Sequence, residues 1–236
     1  MGKHRRERTT PEPSRRQILG GGTMLAAALL LGGSAPPTAQ AAPAAPVATS
    51  FFVPQVHGRQ AWEAREAAWS AQVLDEAPRY IVIHHTATDN VTDYSKERAF
   101  ELSQAVQRHH MDHNGWADVG QQLTISRGGF LMEGRNGSLA AIRAGQHLLG
   151  AHVRDHNSVT VGIENEGNYD AEEPNQWLYK SLVETCAWLC TTYGLGSDAI
   201  VGHRDLISTN CPGERFYELL PQLRDDVEAL LLQQPD

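Results

Sequence analysis

The run "RYIVIHHTAT" (79–88) places Tyr80, Ile81, Val82 and Ile83 in succession and then turns polar. A short, β-branched apolar run of this kind predicts a buried strand, one that delivers His84 and His85 at its carboxyl end. "SKERAFELSQAVQRHHMDH" (95–113) carries Phe100, Leu102, Val106 and Met111 at helical spacing, with Ser95 as cap and "NG" as stop. "GQQLTISRGGFLMEG" (120–134) reads as a hairpin about Gly128 and Gly129, and residues 159–167 as another strand. A long helix follows over 172–194, with Pro174 near its first turn and Gly194 at its end. "AIVGH" (199–203) is a short strand ending in His203, succeeded by a loop bearing Cys211 and a last helix over 216–232. Strands alternating with helices predict an α/β fold, a single domain with a mixed central β-sheet flanked by helices. In such sheets functional residues gather where strands end, so His84 and His203 are expected to face one cleft.

The strand "VTVGIENEGNY" (159–169) sets two acids around one Asn. Alternation with period two points Glu164 and Glu166 the same way. That face either meets water or floors an active site.

The amino terminus changes the charge picture. Six Lys/Arg in residues 1–16, the twin arginines of "SRRQIL", an apolar run too short and Gly-broken for a comfortable membrane span, and the small-residue "AQA" (39–41) together predict an export signal peptide of twin-arginine type over 1–41. Residues 42–55 are expected to be a flexible lead-in, and 56–236 the folded domain. Removing the signal's net +4 takes the formal −8 of the chain to −12. The exported protein is therefore acidic, and a nucleic-acid partner is disfavoured because no basic stripe is visible. A secreted monomer without a stable membrane span is the expectation.

The three cysteines, Cys186, Cys190 and Cys211, make an odd count for an exported chain, so at least one thiol is free, cross-linked or bound to metal. Cys186 and Cys190, four apart in the long helix, read as small core residues before they read as a disulfide or a metal site. Cys211 sits in the loop "NCPGE", eight residues after His203. His84, His203 and Cys211 supply the donor types of a catalytic zinc site with a fourth position left open, although eleven histidines make a chance trio easy. His109, His110 and His113 suit a helix end. His152, in "GAHVRDHN", has either a ligand-facing role or a capping or core one.

Six blocks in order, "RYIVIHHTAT", "HHMDHNGWADVG", "GGFLMEGR", "GAHVRDHN", "VGIENEG" and "GHRDLISTNCPG", resemble the zinc-dependent N-acetylmuramoyl-L-alanine amidases of type 2, which share their fold with the peptidoglycan recognition proteins. "RQAWEAREA" (59–67) is similar to that family's Trp-bearing opening stretch. The resemblance implies zinc ligands at His84, His203 and Cys211. It implies a general acid/base at Glu164, because Gly162, Ile163 and Glu164 match the strand in which the family's peptidoglycan-recycling branch carries its catalytic Glu; like that branch, this chain lacks the Tyr used by many members and has Gln121 there, whose amide cannot exchange a proton near neutral pH. Thr209, six residues after His203, stands where other members carry Lys or Thr and is the second catalytic candidate. His152 and Asn157 match positions lining the muropeptide groove. Glu166 is left with three readings: a positioning hydrogen bond, a like charge that raises its neighbour's pKa, or a solvated place at the sheet edge.

The implied activity is zinc-dependent hydrolysis of the amide between N-acetylmuramic acid and L-alanine in cell-wall peptidoglycan. A secreted peptidoglycan-binding module without catalysis is the alternative, and soluble 1,6-anhydro-muropeptides are the alternative substrate.

Overall fold

A computed structural model describes residues 52–233, so the export-signal expectation and most of the lead-in lie outside the described residues. Chain order runs β1 (Val56–His57), β2 (Val73–Leu74), β3 (Tyr80–His85), α1 (Lys96–Arg108), β4 (Leu123–Ile125), β5 (Leu131–Glu133), α2 (Ser138–Arg143), β6 (His147–Leu148), β7 (Thr160–Asn165), α3 (Gln176–Tyr193), β8 (Ile200–Gly202), α4 (Glu214–Glu218) and α5 (Leu220–Leu231). The main sheet has the order β1-β5-β4-β7-β3-β8, and β2 and β6 form a separate antiparallel pair. All neighbours in the main sheet are parallel except the β4–β5 hairpin, so the sheet is mixed.

Alternation along these strands separates a dry face from a chemical one. Ile81, Ile83, Leu123, Ile125, Val161 and Ile163 share the dry face and are fully buried with Leu178, Leu182 and Leu189 of α3 and Leu223 and Val227 of α5. The intervening positions are Val82, His84, Gly162, Glu164 and Thr124, and they point to the opposite side. Part of that side is covered by Trp62, Ala99 of α1 and Met132 of β5, with the Trp62 indole donating to the Glu133 carbonyl at 3.0 Å. What α1 leaves uncovered is the cleft.

Element boundaries differ from the sequence expectation where capping chemistry intervenes. Ser95 caps α1 as expected, its hydroxyl accepting from Arg98 N, but the helix widens into a π turn at His109–His113, closed by Asn114 N donating to His109 O at 3.1 Å. α3 starts later than 172, because Asn175 is the cap and accepts from the amides of Trp177 and Leu178, leaving Pro174 outside the helix. The last helix is two helices: Leu219 separates α4 from α5, and Pro221, which has no N–H to donate, sits in the first turn of the second. His203 is not a strand residue; it opens the 3-10 turn His203–Asp205, in which Asp205 Oδ2 accepts from Gly202 N at 2.7 Å. None of the helices among the described residues is long and apolar enough to cross a membrane.

Candidate metal centre and its cleft

Parallel pairing of β3 with β7 puts His84 directly beside Glu164, and β7 pairs Glu164 with Thr124 of β4. The three side chains therefore stand in a row across three strands on the chemical face. β8 runs beside β3, so the turn after it brings His203 over the same strand end, with the two imidazole centroids 4.4 Å apart. The following loop folds back until Cys211 Sγ lies 3.7 Å from His84 Nδ1. Donor atoms of His84, His203 and Cys211 all fall within 4.8 Å of one another.

Two observations show that this donor set fits a divalent cation. The His203 Nε2 atom is buried with no hydrogen-bond partner among the described residues, a cost that a ligand bond removes. The His84–Cys211 separation also matches the edge of a tetrahedron built on Zn–N and Zn–S bonds, about 3.6 Å. Burial, reinforced by the neighbouring histidines, holds His84 well below its ordinary value, and burial lowers His203 to about 4. Burial raises Glu164 to about 8, and burial followed by the Glu164 charge raises the Cys211 thiol. Burial thus pushes every group toward its neutral form, and a cation held by the three donors would favour thiolate and carboxylate. Donation from the His85 amide to Cys211 Sγ at 3.4 Å already favours the thiolate.

The cleft has a volume of about 460 Å³ and is lined by the three donors together with Glu164, His152, Thr209 and Gln121. Glu164 is half-buried, and its carboxylate has no hydrogen-bond partner among the described residues. Thr209 Oγ1 accepts from the Cys211 amide at 3.2 Å, which leaves its own proton free. Gln121 is buried at the floor, its Nε2 donating to Thr124 Oγ1 at 3.0 Å while its Oε1 is without a partner. His152 faces His84 across 2.9 Å. Asn157 does not line the cleft; its Oδ1 accepts from the amides of His152 and Val153 at 2.8 and 3.0 Å and so holds the loop that carries His152.

Of the three readings the sequence left open for Glu166, the structure supports the hydrogen-bonding one, with partners on α1 and the hairpin rather than at the cleft. Its side chain is buried rather than solvated at an edge; Oε1 accepts from Arg98 Nε and Nη2, both at 3.1 Å, and Oε2 from the Arg127 amide at 2.9 Å. Burial, rather than this neighbour, is what lifts Glu164. His110, which the sequence reading assigned to a helix end, and Trp116, which it did not single out, both line the cleft. The π turn swings His110 inward, where Nδ1 accepts from Gly120 N at 3.2 Å and the ring stacks on Trp116 at 4.6 Å. The paired histidines before "NGW" are the only sequence signal for this, and a simple helix end explains them equally well.

The family described as N-acetylmuramoyl-L-alanine amidase matches residues 74–214. A pig protein of the same name, N-acetylmuramoyl-L-alanine amidase, is 33% identical over 171 residues, covering 71% of this chain and 27% of that protein. The Drosophila melanogaster peptidoglycan-recognition protein SC2 is 32% identical over 167 residues, covering 66% of this chain and 79% of that one. The chain spans only 27%, 28% and 34% of the mammalian relatives it matches. Among solved structures, Drosophila PGRP-LB superposes with a TM-score of 0.60 at 25% identity, covering 70% of this chain and 92% of that one. Peptidoglycan recognition protein-LE in complex with tracheal cytotoxin, a monomeric diaminopimelic acid-type peptidoglycan, superposes with a TM-score of 0.61 at 24% identity, covering 71% and 92%. The sheet and its flanking helices therefore form the peptidoglycan recognition protein fold.

Proposed function

The chain belongs to the N-acetylmuramoyl-L-alanine amidase family, and from that premise we propose that it is a zinc-dependent hydrolase cutting the amide between N-acetylmuramic acid and L-alanine in cell-wall peptidoglycan. The observation that carries the reading is the convergence of His84, His203 and Cys211 beside an unpaired, half-buried Glu164. Held by those three donors, zinc supplies Lewis acidity, polarising the scissile carbonyl and making water a nucleophile at neutral pH.

The other roles fall to the chain's own groups. Glu164, one strand away from His84 in register, takes a proton on its free carboxylate from the attacking water and passes it to the departing amine of L-alanine. Thr209, its oxygen already bonded to the Cys211 amide, donates its free proton to the negative oxygen that develops on the carbonyl. Gln121 lines the cleft but moves no proton. Asn157 acts through the loop it holds. If residues 1–41 act as the export signal that the sequence leads us to expect, the substrate is intact wall rather than recycled soluble muropeptide.

The test is mass spectrometry of products after residues 42–236 are incubated with purified cell wall, with and without a chelator. Release of peptides with a free L-alanine amino terminus, abolished by chelation, is the expected result. Zinc binding without cleavage of sacculi or soluble muropeptides would make the protein a peptidoglycan-binding module instead.

A further inference from the structure

His152 lines the cleft, yet both of its ring nitrogens are occupied within the protein. Nδ1 lies 2.9 Å from His84 Nε2, and Nε2 lies 3.4 Å from Thr160 Oγ1. Thr160 in turn donates its hydroxyl proton to the His156 carbonyl at 2.9 Å, because a carbonyl can only accept. With that proton committed, Thr160 Oγ1 can only accept from His152, so His152 Nε2 carries the hydrogen. A buried neutral imidazole has one donor and one acceptor nitrogen, so His152 Nδ1 is the acceptor and His84 Nε2 must donate to it. The bare nitrogen of His84 is then Nδ1, the atom that faces Cys211 Sγ at 3.7 Å.

The backbone around the ring is shaped for this arrangement. A Cβ on Gly162 would stand 2.6 Å from His152 Nδ1 and 2.7 Å from its Cε1, and one on Gly150 would stand 2.6 Å from Cδ2. Two glycines therefore open the slot, while Asn157 holds the His152 backbone from the other side. The ring centroids of His84 and His152 are 5.0 Å apart while the bonded nitrogens are 2.9 Å apart, so the contact runs nearly in line from one ring to the other.

We infer that His152 is a positioning residue for His84: the relay Thr160–His152–His84 fixes the Nε2–H tautomer of His84 and presents Nδ1 to the metal, with Gly162 admitting the relay. This rests on the zinc reading above but is separable from catalysis. Outer hydrogen-bond partners of metal-bound histidines typically contribute about 10–100-fold to metal affinity.

The experiment reads the tautomer directly in metal-free protein, by long-range proton–nitrogen NMR correlations of the His84 ring, and zinc affinity by chelator competition. Wild type shows the proton on Nε2. His152→Ala spreads it over both nitrogens and weakens zinc roughly 10–100-fold, whereas His152→Asn, whose Oδ1 can take the acceptor's place, keeps both close to wild type. Should His152→Ala fail to fold, Thr160→Val removes the far end of the relay while filling the same space, and the same change in tautomer is expected. An Nδ1–H tautomer in wild type overturns the inference. So does a folded His152→Ala with unchanged tautomer and zinc affinity, and a raised KM for muropeptide as its only effect would make His152 a substrate contact. A wild type that binds zinc with the Nε2–H tautomer but cleaves nothing would overturn the amidase reading alone.

Discussion

Arg98 on α1 reaches across to Glu166 just beyond β7 and gives one carboxylate oxygen two bonds of 3.1 Å, while Glu164, two residues earlier, meets no such partner. The pair of acids in "GIENEG" is therefore a division of labour. One closes the structure between helix, hairpin and strand, and the other stands in the cleft without a hydrogen bond.

Stability should separate the two. Glu166→Gln leaves a buried amide facing a guanidinium and a backbone N–H, and is expected to cost about 2–4 kcal/mol, on the low side for a buried pair because Arg98 is partly solvated. Glu164→Gln replaces a carboxylate without hydrogen bonds by a neutral isostere and should unfold at a urea midpoint no lower than wild type. Equal midpoints for the two variants would contradict the assignment.

Activity should separate them in the opposite sense. Glu164→Gln is expected to retain stoichiometric zinc and to lose about 10²–10⁴-fold in peptide release from cell wall, the usual range for a general acid/base. Zinc content by elemental analysis and product release by mass spectrometry check the two halves. Near wild-type turnover would remove Glu164 from the mechanism.

How much of this was legible in the sequence depended on range. The apolar run before His84 and the Ser95 cap are local signals, and both elements formed where those signals lay. The π turn at His109 and the split at Leu219 escaped, because a one-residue widening and a Pro-started second helix share the apolar spacing of an unbroken helix. The donor trio could be named from residue types, but nothing local says that Cys211 folds back onto His84. Glu166 was unreadable for the same reason: its partner is 68 residues away, and an acid near a strand end looks alike whether it meets water or Arg98.

Metal loading should stabilise the fold. With zinc free at about 100 times its Kd, the folded state gains about 2.7 kcal/mol, a rise in Tm of roughly 5–10 °C for a domain of this size. Calorimetry of chelated protein before and after adding zinc measures it. Cys211→Ser and His203→Ala should each abolish most of the shift.

Thiol chemistry offers an independent check. Cys186 and Cys190 are buried in the core against α5, and burial raises both thiols, so neither should react with an aromatic disulfide in the native state. Cys211 is half-buried at the cleft. Native zinc-loaded protein is expected to show no reactive thiol, chelated protein one, exposed at the cleft but slowed by the burial that also raises Cys211, and denatured protein three. A reactive thiol that survives in Cys211→Ser would show that the helix pair is accessible.

The row His84, Glu164, Thr124 is set by strand register, and the same register sets the dry face behind it. A slip of one residue between β3 and β7 would bring an isoleucine to the cleft and a histidine to the core at one stroke. Misregistered chains therefore lack both cohesion and ligands. Among refolded molecules, the fraction that has buried its aliphatic side chains and the fraction that can capture metal should be the same number.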